Sequence, residues 1–306
     1  MAHHAALSNY GSAIIVNKLD SGTKISLTVL TWRAPKTLQS SLNSIKELLP
    51  FFDELILVCQ ESDPREMTIG ANFGFRIIAL EKNIGIQGGM KECFESARNE
   101  LILFYENDLV LNQSVDKAKS LLTEAAAKLQ KQEIDFVKFR FLPGNQNAKG
   151  KYFSKYWRVN NNKVRRRISG YLRFQKANRS LGTAIQYIWQ KSLDAPGFNR
   201  ISENFFQTTT QYGKWENRAV LTSKAYFRKL LKFAEANPSS RIVNGSPDLE
   251  HPLNCKKNRK WLIKQKSSFL IAVPGLFGHR RHDRAAIDEK WDMVDPVDEG
   301  GEVEVS

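Results

Sequence analysis

Short apolar runs alternate with amphipathic segments through the first half of the chain, and this alternation limits the architecture more than any single motif does. "KISLTVLT" (Lys24–Thr31) sets Ile25, Leu27 and Val29 at period two, the spacing of a strand. Pro35 then opens a segment with Leu38, Leu42, Ile45 and Leu49 at helical spacing. Proline is tolerated in a first helical turn because its missing N–H would have no partner there. "ELILVC" (Glu54–Cys59), "FRIIAL" (Phe75–Leu80) and "LILFY" (Leu101–Tyr105) are further buried strands by composition. Gly88–Arg98 and Ser114–Lys131 carry helical patterns, and "IDFVKFR" (Ile134–Arg140) closes the series. Such alternation implies βαβ units, hence an α/β fold with a mainly parallel sheet covered by helices on both faces. Ligands of such sheets gather at the carboxyl ends of the strands.

The second half is less regular. Residues 144–200 are polar, basic and aromatic, "ENRAVLTSKAYFRKLLKFAEA" runs from a strand or turn into a helix, Leu249–Gln265 suits a helix, and "SSFLIAVPGLF" suits a late strand. No linker divides the chain, so the expectation is one domain over 24–284 with a decorated C-terminal half, the halves being 24–140 and 141–284. Residues 1–23 and the acidic stretch 285–306 are expected to be tails. Three cysteines without CxxC spacing argue against a disulfide framework or a zinc site and fit a reducing compartment, the cytoplasm. No apolar run approaches the roughly 20 residues needed to span a bilayer, and the start lacks the pattern of a secretory signal. The net charge of +14 points to an anionic partner: nucleic acid, a lipid headgroup surface, or a phosphorylated small molecule.

In "LILFYENDLVL" (Leu101–Leu111) an apolar strand ends in Glu106-Asn107-Asp108 and the chain then turns apolar again. Two carboxylates at that spacing can reach one cation, and oxygen ligation suits Mg²⁺ or Mn²⁺, which keep positions for substrate phosphates. The alternative is that Asn107, Asp108 or Asn112 caps the helix that follows.

The surrounding order widens the comparison. Asn83 and Gly85 follow a strand, Gly88-Gly89 open a helix, and the acid pair follows the next strand. Over Lys24–Leu111 this resembles the nucleotide-sugar domain of GT-A (Rossmann-like) glycosyltransferases, especially the family-2-like group. The resemblance implies a glycan-building enzyme that uses Mn²⁺ or Mg²⁺ and a nucleoside-diphosphate sugar donor, with a glycan, lipid-linked or protein-linked acceptor. It implies that Thr31, Trp32 and Arg33 line the nucleotide pocket, with Glu61 at the base or ribose. Asn83, Gly85, Glu106 and Asn107 then belong to the donor site, and Asp108 is the metal carboxylate with Glu106 beside it. For the glycines and Asn83 the alternative is a plain strand-to-helix turn.

Further matches lie late in the chain. An acid at a helix start in "NGSPDLEHPLN" makes Glu250 the first choice for general base and Asp248 the second. Helix capping is the alternative for Asp248, and a solvated first-turn acid for Glu250. "VPGLFGHRRHDR" (Val273–Arg284) resembles the Gly-Leu-Phe-x-His ending of some of these enzymes. This implies His279 as a third metal ligand and Arg281 or Arg284 for the diphosphate. "QYGKWENRAVLTSKAYF" resembles the acceptor segment, with Trp215 stacking on a sugar and Asn217 bonding to it. The alternative for Trp215 is a core position. The implied reaction is inverting glycosyl transfer by one base, with no covalent intermediate.

The rival function is nucleic-acid binding through the basic aromatic segment 151–179, where Tyr152, Trp157, Tyr171 and Phe174 interleave with cations. No RRM, KH or zinc-finger pattern accompanies it, and such a segment equally suits an anionic acceptor or peripheral contact with a membrane surface. Nucleic acid is therefore ranked below the transferase.

Overall fold

The computed structural model describes residues 23–139, 197–211, 213–238, 242–243, 246–255 and 257–283. At its centre β1 (Ile25–Thr31) is buried along its whole length, as an interior strand covered on both faces must be. It lies between β2 (Glu54–Gln60) and β4 (Leu101–Glu106), parallel to both. β3 (Arg76–Leu80) extends the sheet beyond β2.

On the other side come β9 (Val220–Ser223), β6 (Phe136–Lys138), β12 (Ser268–Ala272), β8 (Phe205–Thr209) and β7 (Asn199–Arg200), which makes nine strands in this sheet among the described residues. β9 runs antiparallel between β4 and β6, and β8 runs antiparallel to β12. The sheet is mainly parallel, as the alternation implies.

The side-chain period of β1 sorts the core. Ile25, Leu27 and Val29 pack with Leu38 and Leu42 of α1 (Pro35–Ser44) and with Leu121 and Leu122 of α4 (Val115–Gln130). Leu30 turns to the opposite face, among Met90 and Phe94 of α3 (Gly85–Ser96) and Phe227 and Leu230 of α5 (Lys224–Ala236). Each such buried side chain stabilises the fold by about 1.5–3 kcal/mol relative to exposure. Ser114 and Ser223 cap α4 and α5 by accepting from Lys117 N and Tyr226 N.

Several boundaries differ from the sequence expectation. The helix beginning at Pro35 ends at Ser44 and tightens into a 3-10 stretch, Lys46–Phe51, which contains Pro50; a proline cannot donate to a continuing α-helix. The helix expected from Gly88 begins at Gly85, whose φ of +77° suits glycine and whose N–H donates to Asn83 Oδ1 at 2.8 Å. The expected helix over Leu249–Gln265 is two, α6 (Glu250–Asn254) and α7 (Arg259–Gln265), parted where Cys255 is extended. Asn254 there donates to Trp215 O.

Two small ribbons complete the described residues. β10 (Ile242–Val243) pairs with β11 (Ser246–Pro247). β5 (Leu109–Leu111) pairs antiparallel with β13 (Phe277–His279), with Leu109 opposite His279. A Cβ at Gly278 would lie 2.4 Å from Asn112 Nδ2, so the glycine permits this close approach. Among the described residues no helix is long and apolar enough to cross a membrane.

Candidate active site

The turn between β4 and β5 carries Asn107 and Asp108, with Glu106 as the last residue of β4. Because β13 pairs with β5, His279 is delivered to the same place, and Arg280 N donates to Asp108 O at 2.8 Å. One possible ligand atom from each of Glu106, Asp108 and His279 lies within 4.8 Å of the others. Asp108 Oδ1 is 3.2 Å from His279 Nε2, yet both atoms are buried without a hydrogen-bond partner. Asp108 Oδ2 accepts from Arg281 Nε at 2.6 Å.

Burial disfavours the Asp108 carboxylate, but His279 and Arg281 outweigh that and hold its pKa well below the usual range. Glu106 is displaced the other way, upward, first by burial and then by the Asp108 charge. Arg218 opposes that rise with its Nε 3.8 Å from Glu106. Two acids and one imidazole form an oxygen- and nitrogen-donor set that fits a hard or borderline divalent cation.

Beside this group a cleft opens at the carboxyl edge of the sheet. Thr31, Trp32, Asn83, Gly85, Glu106, Asn107, Asp108 and Arg281 all line it. Asn107 Nδ2 donates to Thr31 Oγ1 at 3.0 Å, joining the acid turn to the end of β1. Trp32 Nε1 is buried and unpartnered there.

Arg33 and Glu61 do not line the cleft; they form an ion pair with each other, both at positive φ. The backbone turn at Glu61 leaves Gln60 in the wall, where its Oε1 accepts from Ile84 N at 2.9 Å. Arg33 and Glu61 were both expected at the nucleotide, and in this structure they face each other. Arg284 lies outside the described residues, as do the segment 151–179, residues 1–22 and the expected tail 285–306.

Across the β4–β9 seam stands a second acidic group. Glu250 Oε1 accepts from Asn217 N at 2.8 Å, and burial pushes the Glu250 pKa up, with Glu216 adding to the rise. Glu250 in turn raises Glu106, so the two carboxyl groups share one field, and Arg218 acts on both.

Asp248 accepts from Glu250 N, His251 N and Asn217 Nδ2. That is a capping and bracing arrangement, and Asp248 is 4% exposed. Glu216 pairs with Lys138 at 3.0 Å in the interior below them.

The two residues expected at the acceptor, Trp215 and Asn217, both lie in the interior. Trp215 is 0% exposed and packs edge-on against Phe136, ring centroids 5.2 Å apart, so no ring face is open to a sugar. Asn217 is buried too: its Oδ1 accepts from Trp215 Nε1 and its Nδ2 reaches Asp248. Its amide holds the carboxylates in place instead of facing an acceptor.

Four residues near the site escaped the sequence reading: Gln60, Glu66, Arg218 and Asp283. Arg218 had the signal of adjacency to Asn217, whereas Glu66 sits in an ordinary helix turn. Asp283 accepts from Lys36 N, Thr37 N and Thr37 Oγ1, capping α1 from a distant loop. No local pattern announces that.

The sequence model of Glycosyl transferase family 2 matches residues 26–189, more than half of the chain. This chain belongs to glycosyl transferase family 2. The α/β architecture expected of such a transferase is the one observed, and the family match favours it over the nucleic-acid alternative. No curated protein matches.

Among solved structures, the family 2 chain is similar to glucosyl-3-phosphoglycerate synthase from Mycobacterium tuberculosis in complex with Mn²⁺, UDP and glucosyl-3-phosphoglycerate. Identity is 17% over 86% of this chain and 74% of that one, with a TM-score of 0.45. TarS 1–349 of S. aureus in complex with UDP-GlcNAc is 15% identical over 86% of this chain and 60% of that one, TM-score 0.44. A mannosyltransferase from Pyrobaculum calidifontis in complex with GDP-Man and Mn²⁺ is 12% identical over 39% of this chain, TM-score 0.34. The chain covers 36% of that mannosyltransferase's length.

Proposed function

We propose that this family 2 chain transfers a sugar from a nucleoside-diphosphate donor to an acceptor hydroxyl with inversion at the anomeric carbon. The observation that carries the reading is the meeting of Glu106, Asp108 and His279 at the edge of the cleft, with Glu250 in electrostatic reach of Glu106. Asp108, His279 and Glu106 would hold Mn²⁺ or Mg²⁺, which when bound supplies positive charge to the diphosphate as it leaves.

The chain's own residues do the rest. Thr31, Trp32, Asn83, Gly85 and Asn107 form the wall for the nucleoside. Arg281, held at Asp108, contributes a cation at the diphosphate end. Glu250 takes the proton of the acceptor hydroxyl at one of its carboxylate oxygens, while Asn217 N–H keeps the carboxyl oriented. Its raised pKa makes it a stronger base than an exposed glutamate. Attack from the base's side of the sugar, opposite the diphosphate, inverts the configuration.

Residues 24–140 would form the donor half and 141–284 the acceptor half of a single domain. The acceptor is a glycan, or a lipid-linked or protein-linked hydroxyl, and the +14 charge suits an anionic one. A cytoplasmic enzyme with peripheral contact to a membrane fits these features.

The test is a thermal-shift panel of nucleoside diphosphates and nucleotide sugars with and without Mn²⁺, followed by NMR of the product's anomeric proton. A ligand at about 100 times its Kd should stabilise by roughly 2.7 kcal/mol. No shift with any nucleotide would sink the donor site, and retention of configuration would sink the single displacement.

A further inference from the structure

We propose that Glu66 is a positioning residue that sets, from behind the cleft, the hydrogen-bond polarity with which its wall meets a nucleoside, acting through Thr31 and Asn107. The inference rests on the donor-site reading above.

Glu66 lies in the first turn of α2 (Pro64–Asn72), is 0% exposed, and does not line the cleft. Its Oε1 accepts from Thr31 Oγ1 at 2.6 Å and from Ala34 N at 2.8 Å. Its Oε2 accepts from Cys59 Sγ at 3.5 Å. A buried carboxylate is costly unless hydrogen-bonded, and an apolar side chain would fill the same space without that cost. Two of its three donors belong to the end of β1 and the loop after it, the segment that forms the floor of the cleft.

A threonine hydroxyl has one proton to donate. Thr31 donates it to Glu66, so toward the cleft its oxygen can only accept, which it does from Asn107 Nδ2. This settles which way round the Asn107 amide sits: nitrogen to Thr31, with the carbonyl Oδ1 as its remaining acceptor in the cleft. Donation thus runs in one direction, from Asn107 to Thr31 to Glu66, and, opposite in polarity to the unpartnered Trp32 Nε1–H, the wall at Asn107 presents the acceptor Oδ1. The chemical class it selects is a hydrogen-bond donor on the nucleoside, a ribose hydroxyl or a base N–H. A site built this way discriminates because a mismatched partner leaves a buried polar group unpaired.

The test compares wild type with E66Q, E66L, T31V and T31S. Isothermal titration uses UDP and GDP, with uridine and guanosine as phosphate-free arms; Mn²⁺ alone is followed by electron paramagnetic resonance, and folding by thermal melts. In E66Q, Oε1 can still accept from both Thr31 and Ala34, so nucleotide affinity should stay within about threefold of wild type. In E66L and T31V the relay is cut, and the nucleoside and nucleotide that wild type binds should each weaken about tenfold or more, roughly one hydrogen bond's worth. Mn²⁺ binding should be unchanged and T31S should restore affinity. Should E66L fail to fold, T31V carries the test, since Ala34 and Cys59 still satisfy Glu66. Wild-type affinity in folded E66L or T31V, parallel loss of Mn²⁺ binding, or a loss in E66Q as large as in E66L would each overturn the proposal. If wild type binds none of the probes, the donor-site reading falls and this inference falls with it.

Discussion

Asp108 Oδ1 lies 3.2 Å from His279 Nε2, and neither atom has a hydrogen-bond partner although both are buried. An acid and an imidazole this close would ordinarily satisfy one another. With the imidazole neutral, a cation at the mouth of the cleft would find a free oxygen and a free nitrogen here. Asp108→Ala and His279→Ala should each weaken Mn²⁺ binding by at least the roughly 10- to 100-fold seen when even a residue that only hydrogen-bonds to a metal's ligand is removed. Paramagnetic titration of Mn²⁺ measures this directly. Unchanged affinity in both variants would show that the pair is structural.

Glu250→Gln should keep donor binding and lose turnover. Glu250 has its pKa raised by burial, so the folded protein holds its proton to higher pH than the unfolded chain does. Its contribution therefore favours the fold at low pH and is lost as pH rises through the folded-state pKa. Glutamine removes that loss while its Oε1 can still accept from Asn217 N. The variant should melt no lower than wild type at pH 8, and an appreciably lower melting temperature there would contradict this account of burial.

Asp283 ties a late loop to the start of α1, and its pKa is depressed: the Thr37 and Lys36 hydrogen bonds overcome the opposing effect of burial. The sign is the reverse of Glu250. The stabilisation is present above the ordinary aspartate range near pH 4 and fades as pH falls through the lower folded value. The melting-temperature gap between wild type and Asp283→Ala should thus be widest near neutrality and close toward pH 3. A gap that does not change with pH would mean that the carboxylate charge is not what holds the clasp.

Trp215→Phe should lower stability by losing ring packing and the Nε1 bond to Asn217, with truncation to alanine costing about 3–5 kcal/mol. Acceptor KM and kcat should move only as the carboxylates behind Asn217 loosen. A variant with unchanged melting temperature and a selectively raised acceptor KM would return Trp215 to the sugar-stacking role that its burial denies.

Periodicity and turn chemistry made much of the framework legible. The period-two run at Ile25, Leu27 and Val29, the helical spacing after Pro35, and the acid pair behind "LILFY" depend on near neighbours, so local pattern carried them. Helix breaks were less legible, because Cys255 turns extended beside an Asn254 whose partner is Trp215, a residue remote in the chain. Glu61 shows the same limit. The strand before it was plain, but its positive φ turned its side chain to Arg33 and left Gln60 in the wall.

By itself the sequence determined that this chain would build a mainly parallel α/β sheet with carboxylates at a strand's carboxyl end, because strand and helix periods are written in short-range spacing. The tertiary structure alone decided that His279 meets Asp108 through the β5–β13 ribbon, that Asp283 caps α1, and that Glu66 stands behind Thr31. Those partners are far apart along the chain, and no local propensity encodes a contact whose geometry exists only once the sheet has brought both ends together.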